Sequence, residues 1–196
     1  MDSRDDIFYI NEVLGGKINS YSYLIEKHKD RVFNLAFRIC SNREDAEEIA
    51  QDSFMKAFRS LKDFRRKSSY STWLYRIVYN TAISVVRSKR KGLLSIEDFP
   101  ANAVDFKDYT TNEDEAENEY RSSLVNFALQ RISEEDRGLV SLYYYYELDN
   151  EEISKITGIS KTNIKVRLHR ARKKIVEIIR KAEKENISYY EKNRST

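Results

Sequence analysis

The chain has 196 residues, 34% of them charged and 40% hydrophobic, with a net charge of +3. Five glycines and one proline are few, which suggests helices throughout, and no low-complexity tract is present. The single cysteine, Cys40, excludes an internal disulfide, and no apolar run is long enough to span a membrane.

In chain order, Ile7, Ile10 and Leu14 are spaced as one face of a short helix ending at Gly15-Gly16. A second helix over 18–40 offers Tyr21, Leu24, Ile25, Val32, Leu35, Ala36 and Ile39 to a core. Cys40 closes that stripe and reads as a buried small hydrophobe. Asn42 caps a helix over 43–61 whose apolar stripe is Ala46, Ala50, Phe54, Ala57 and Leu61, with Asp45, Glu48 and Asp52 on the other side. The polar loop DFRRKSSY leads to a helix over 71–90 that turns Trp73, Leu74, Ile77, Thr81 and Val85 inward.

Residues 92–117 contain Pro100, little periodicity and many acids, and read as a flexible linker. Helices resume near Glu117, one to about Arg131 and one from Ser133 to Tyr146, where Ser133 and Asp136 resemble a capping box. Tyr143 and Tyr146 fall at core spacing, with the two tyrosines between them partly exposed. The expected fold is all-α: two small helical domains, 1–91 and 118–184, joined by a flexible acidic linker and followed by a disordered tail, 185–196.

Residues 149–175, DNEEISKITGISKTNIKVRLHRARKKI, carry the parts of a DNA-reading helix-turn-helix in order. Asp149 is an N-cap ahead of Ile153 and Ile156. Gly158 supplies a tight turn that a side chain would obstruct, Ile159 plugs the angle, and Ser160 caps the next helix. On that helix Ile164, Leu168, Ala171 and Ile175 form a buried stripe, while Thr162, Lys165, His169, Arg170 and Lys173 face away. A helix apolar on one side and cationic on the other suits the major groove. His169 is exposed by helical phase, and no second His or Cys nearby supports a metal site.

Charge is segregated along the chain. Residues 54–91 hold eleven Lys/Arg against one Asp, 97–120 hold nine Asp/Glu against one Lys, and 153–181 hold ten Lys/Arg against one Glu. Two basic blocks around an acidic one point to two nucleic-acid contacts.

Three strings then matter together: EDAEEIAQDSFMKAFRSLKDF, STWLYRIVYNTAISVVR and the helix-turn-helix ending VRLHRAR. In this order they resemble an extracytoplasmic-function sigma factor, the small two-domain promoter-specificity subunit of bacterial RNA polymerase, over roughly residues 9–180. The resemblance implies that Asp45, Glu48, Gln51 and Asp52 dock on the clamp helices of the polymerase's largest subunit, where an unpaired carboxylate row gives steering and register. A plain solvated helix face is the competing reading. It also implies that the loop Phe64, Arg65, Arg66, Lys67, Ser68, Ser69, Tyr70 captures a base flipped from the melted minus-ten strand. Cations follow phosphates there, and Phe64 or Tyr70 offers a stacking surface or, for Phe64 above all, belongs to the core. Thr72, Arg76, Asn80 and Arg87 share a strand-contacting face, and Trp73 is either a packing or a stacking residue. Lys89, Arg90 and Lys91 are phosphate contacts or a solvated charge run.

In the second domain the resemblance places Thr162, Asn163, Lys165, Val166, Arg167, His169, Arg170 and Lys173 on the minus-thirty-five element. Lys165 and Arg170 are the candidates for guanine edges or nearby phosphates, and Arg167 can instead pair within the domain. Departures from the family pattern are Val166 in place of a small polar residue, Arg66 at a common glycine position, Ser84 for Asp and Ser154 for Ala.

The implied protein is a cytoplasmic, non-catalytic specificity factor without metal, cofactor or direct membrane insertion. The resemblance gives it core RNA polymerase (the clamp helices and the flap of the second-largest subunit), promoter DNA and an anti-sigma factor as partners. The opening MDSRDDIFYI, with no basic region ahead of an apolar core, agrees with a protein that is not exported. The rival class is an autonomous regulator binding an operator, which needs a dimerisation surface or effector pocket that the sequence does not display. A nucleic-acid enzyme is the third, and no nucleophile–base set, phosphate loop or metal-ligand spacing supports it.

Overall fold

The computed structural model describes residues 5–93 and 113–194, with side chains placed over 5–90 and 121–184. Among the described residues there are eight α-helices and no strand. One group comprises α1 (Asp6–Leu14), α2 (Tyr21–Cys40), α3 (Arg43–Arg59) and α4 (Tyr70–Leu93). The other comprises α5 (Glu113–Leu129), α6 (Glu134–Tyr144), α7 (Asn150–Thr157) and α8 (Lys161–Arg194).

Local chemistry sets the ends. Asn42 caps α3, its side chain accepting from the backbone N–H of Asp45 at 2.9 Å. Ser133 does the same for α6 with the N–H of Asp136 at 3.2 Å. The first group is held by Leu24, Val32, Leu35, Ala36 and Ile39 of α2, Ala46, Ile49 and Ala57 of α3, and Leu74, Val78 and Ala82 of α4. Of the expected stripes, Leu14 is exposed and Ile7, Ile25, Ala50, Trp73, Ile77 and Val85 are only half-buried, while Ile49, Val78 and Ala82, outside those stripes, are buried.

Helix α4 is buried around more of its circumference than its apolar stripe predicts, with Tyr75, Tyr79 and Ile83 also in the core. The cause is the second group, which packs on α2 and α4. Gly138 of α6 lies so near α4 that a Cβ there would stand 2.7 Å from the Tyr79 ring. Tyr75 meets Tyr146 edge to face at 5.0 Å, and the Tyr146 hydroxyl donates to the Arg31 carbonyl at 2.5 Å. Arg137 donates to the hydroxyl of Ser41, the left-handed residue that ends α2, and burial pushes its guanidinium below its ordinary pKa. One hydrophobic cluster runs through both groups.

Four expectations change. Tyr143 is exposed, paired edge to face with Tyr144 at 4.9 Å, while Tyr146 turns inward; α6 ends at Tyr144, so helical phase no longer links the two. Both edges of the expected linker 92–117 are helical, because α4 continues to Leu93 and α5 begins at Glu113; residues 94–112 lie outside the described residues. The tail beyond 184 continues α8 to Arg194, in keeping with a sequence there that has no Gly or Pro to stop it. Cys40 is half-buried, and burial pushes its thiol up to about 11.

Candidate nucleic-acid interface

The helix-turn-helix is built as its residues suggest. The Asp149 carboxylate accepts from the N–H groups of Glu151 and Glu152 at 2.7 and 2.8 Å, and Glu152 reaches back to the Asp149 N–H, completing a capping box. Gly158 has φ +75, but nothing lies within 4 Å of a Cβ built there. The turn therefore needs glycine for its left-handed backbone, not for space. Ser154 donates to the Ile159 carbonyl at 2.7 Å and ties the two helices across the turn. Ser160 caps α8 by accepting from the Asn163 N–H at 3.3 Å.

Ile164, Leu168 and Ala171 are buried, and Ile175 packs against the same core. Thr162, Asn163, Lys165, Val166, His169, Arg170 and Lys173 are exposed together on the opposite side. Arg167 departs from them. It donates to Asp136 at 2.7 Å and to Glu135 at 3.4 Å, with its side chain only 25% exposed, so it braces α8 on α6 and does not stand free for DNA.

The 64–70 loop differs more from expectation. Phe64 and Tyr70 are 8% and 1% exposed. They meet edge to face at 5.9 Å, and Trp73 lies 5.3 and 5.7 Å from the two rings. The three aromatics form a closed cluster that pins both ends of the loop, so neither Phe64 nor Tyr70 offers a stacking face. Thr72 is also buried: its N–H and hydroxyl both meet the Ser69 hydroxyl, at 3.1 and 2.8 Å, closing the first turn of α4. The loop leaves Arg65, Lys67 and Ser69 exposed and Ser68 half-buried, with Arg76 and Asn80 exposed beyond it on α4.

Arg66, the residue at the glycine position, has φ +55. A left-handed backbone costs an ordinary residue about 1–2 kcal/mol, and the Arg66 guanidinium donates to the side-chain oxygen of Asn11 on α1. Asn11 carried no signal beyond an exposed helix position; only the unusual arginine hinted that something must hold the loop.

Farther along α4, Arg87 pairs with Glu135 at 2.5 Å and Arg90 with Glu134 at 3.7 Å. The hydrogen bond from Arg87 holds the Glu135 carboxyl below the usual carboxylate range. Lys89 pairs with Asp45, and the side chain of Lys91 lies outside the described residues. Asp45 is thus no member of an unpaired row. The acidic face that remains is Glu48, Gln51 and Asp52, all exposed, with Asp52 3.7 Å from Lys56 one turn on. The sequence concealed the pairings of Arg87, Arg90 and Arg167 because their partners lie in the other group or on another helix: Glu134, Glu135 and Asp136 read only as the acidic first turn of α6.

Among the described residues no group of His, Cys, Asp and Glu could hold a metal ion, and no helix is long and apolar enough to cross a membrane.

Comparison with known proteins bears on both groups. Residues 24–92 match the family model of Sigma-70 region 2, and residues 124–175 match that of Sigma-70 region 4. The RNA polymerase sigma factor SigV of Bacillus subtilis is 30% identical over 149 residues, covering 76% of this chain and 84% of that protein. The ECF RNA polymerase sigma factor SigE of Mycolicibacterium smegmatis is 30% identical over 166 residues, 83% of this chain; the chain spans only 62% of that relative's length. A solved structure of the sigma factor RpoE of Bartonella quintana, in complex with the anti-sigma factor NepR, shares the fold with a TM-score of 0.68. It is 21% identical and covers 82% of this chain and 96% of that one. With two sigma-70 regions in order and a 30%-identical sigma factor matched over most of its length, the chain belongs to the sigma-70 family of RNA polymerase sigma factors, in its extracytoplasmic-function group.

Proposed function

We propose that residues 1–91 bind core RNA polymerase and the melted minus-ten element, and that residues 118–184 read the minus-thirty-five element and meet the polymerase flap. The observation that carries this is the α8 surface. Lys165, His169, Arg170 and Lys173 are exposed with no ion pair among the described residues, on a helix whose entry is fixed by a capped, glycine-closed turn. Unpartnered cations on a rigid helix are poised for base edges and phosphates, and exposed Val166 beside them suits a thymine methyl.

In the first unit Glu48, Gln51 and Asp52 form the polymerase-facing surface, meeting a basic partner helix. Capture of an extruded base falls to Arg65, Lys67, Ser68, Ser69 and the loop backbone, because the aromatics are enclosed. Trapping that base offsets an unstacking cost of a few kcal/mol, which is how binding drives melting. The protein acts without catalysis, in the cytoplasm. An anti-sigma partner is part of the same reading, supported by the complex in which the Bartonella quintana neighbour was solved.

The test is reconstitution with purified bacterial core polymerase and a promoter library. We expect stable core binding and transcription from a restricted set of sequences. Glu48→Lys with Asp52→Lys abolishes core binding while circular dichroism shows unchanged helicity. Asp45→Lys is a poorer probe, because it also breaks the pair with Lys89. Undiminished core binding by the double reversal would remove the acidic face from the mechanism, and failure of the wild type to bind core would overturn the reading.

A further inference from the structure

We infer that Asn11, on the first helix, is a positioning residue for minus-ten recognition, acting through Arg66. This rests on the reading of 64–70 as the promoter-facing loop. Both ends of that loop are fixed by the aromatic cluster of Phe64, Tyr70 and Trp73, and among the described residues the stretch between them is tied to the rest of the fold by a hydrogen bond from Arg66 to the side chain of Asn11. Arg66 sits in the left-handed region with φ +55, where a side chain is disfavoured and where glycine would rest unaided. The bond to Asn11 offsets that preference and holds the loop in one shape.

Helix α1 is itself a firm anchor. Asp6 pairs with Lys27 at 2.8 Å and with buried His28 at 3.1 Å, tying α1 to α2, and the His28 ring lies 5.4 Å from the Tyr70 ring at the far end of the same loop. Asn11 thereby fixes the loop apex to the scaffold that already fixes its base. The preferred base is read by one loop shape and its apparent affinity scales with the fraction of protein in that shape, whereas binding of other bases through the phosphates does not depend on loop shape, so the preference itself follows that fraction. Asn11 raises this fraction without touching DNA.

The experiment uses holoenzyme assembled from the full chain and core polymerase, transcribing a library randomised at both promoter elements. Asn11→Ala lowers the wild-type base preference in the minus-ten element by about fivefold, the weight of one left-handed residue, lowers the thermal midpoint by no more than about 2–4 °C, and leaves the minus-thirty-five preference unchanged. Asn11→Asp, which still accepts from the guanidinium, restores the preference. In an Arg66→Gly background, Asn11→Ala adds no further change, because glycine needs no support. An unchanged minus-ten preference in Asn11→Ala, an equal loss at both elements, or an undiminished Asn11 effect in the glycine background would each overturn the inference. Absence of promoter selectivity in the wild type would instead overturn the reading of the loop on which it rests.

Discussion

Arg167 and Arg170 stand three residues apart on α8, about 60° apart in helical phase, and that small rotation separates their tasks. Arg170 faces solvent, whereas Arg167 leans onto α6 and spans Asp136 and Glu135. Arg170→Ala is expected to lower minus-thirty-five discrimination by about 1–3 kcal/mol with no change in thermal midpoint. Arg167→Ala reverses the pattern. It strips two carboxylates of a charge-assisted donor, so the midpoint falls by about 2–4 °C for each kcal/mol lost, while the base preference stays. Calorimetry beside the promoter-library assay separates the two, and a flattened preference in Arg167→Ala would return that residue to the DNA surface. The sequence shows both arginines on the polar side of the same helix. It cannot show that α6 brings its acidic first turn alongside one of them.

The helix-turn-helix was the most legible element, because every feature that defines it is local: a capping residue, an apolar phase and one glycine, all within 27 residues of sequence. Helix α4 was legible in extent but not in its exposed faces, since Tyr75 and Tyr79 are buried by helices more than fifty residues away in sequence. The 64–70 loop was legible only in part: Phe64 read chiefly as core and is buried, whereas Tyr70 beside the cations fitted a stacking platform as well as a core anchor until its neighbours were placed. The prediction that belongs to this scale concerns Gly158. Gly158→Ala meets no steric obstacle, so its penalty is that of a left-handed alanine, about 1–2 kcal/mol. The thermal midpoint should drop by about 2–4 °C per kcal/mol with helicity retained. A drop no larger than that of an exposed helical substitution would show that the turn relaxes to another backbone shape.

At the scale of the molecule, the two helical groups are joined by both packing and charge, and magnitudes decide between them. Arg87–Glu135 and Arg90–Glu134 lie at the surface, where such pairs contribute about 0–1 kcal/mol each and are screened by salt. Gly138 instead abuts the buried Tyr79 ring, and an added methyl there forces a shift costing about 1–3 kcal/mol. Gly138→Ala is therefore expected to loosen the docked arrangement, raising the radius of gyration by several ångströms from the roughly 16 Å of a compact chain of this length. Raising the salt concentration alone should change it little. Small-angle scattering distinguishes these outcomes, and a swelling driven by salt with none from Gly138→Ala would assign the docking to charge. In the docked arrangement Arg87 is occupied by Glu135, so a melted strand that recruits Arg87 sees only the undocked fraction of the protein, and its apparent affinity scales with that fraction. Every promoter meets the same toll. A change at Gly138 then alters the strength of all promoters in proportion and leaves their ranking intact, separating how much is transcribed from which sequences are chosen.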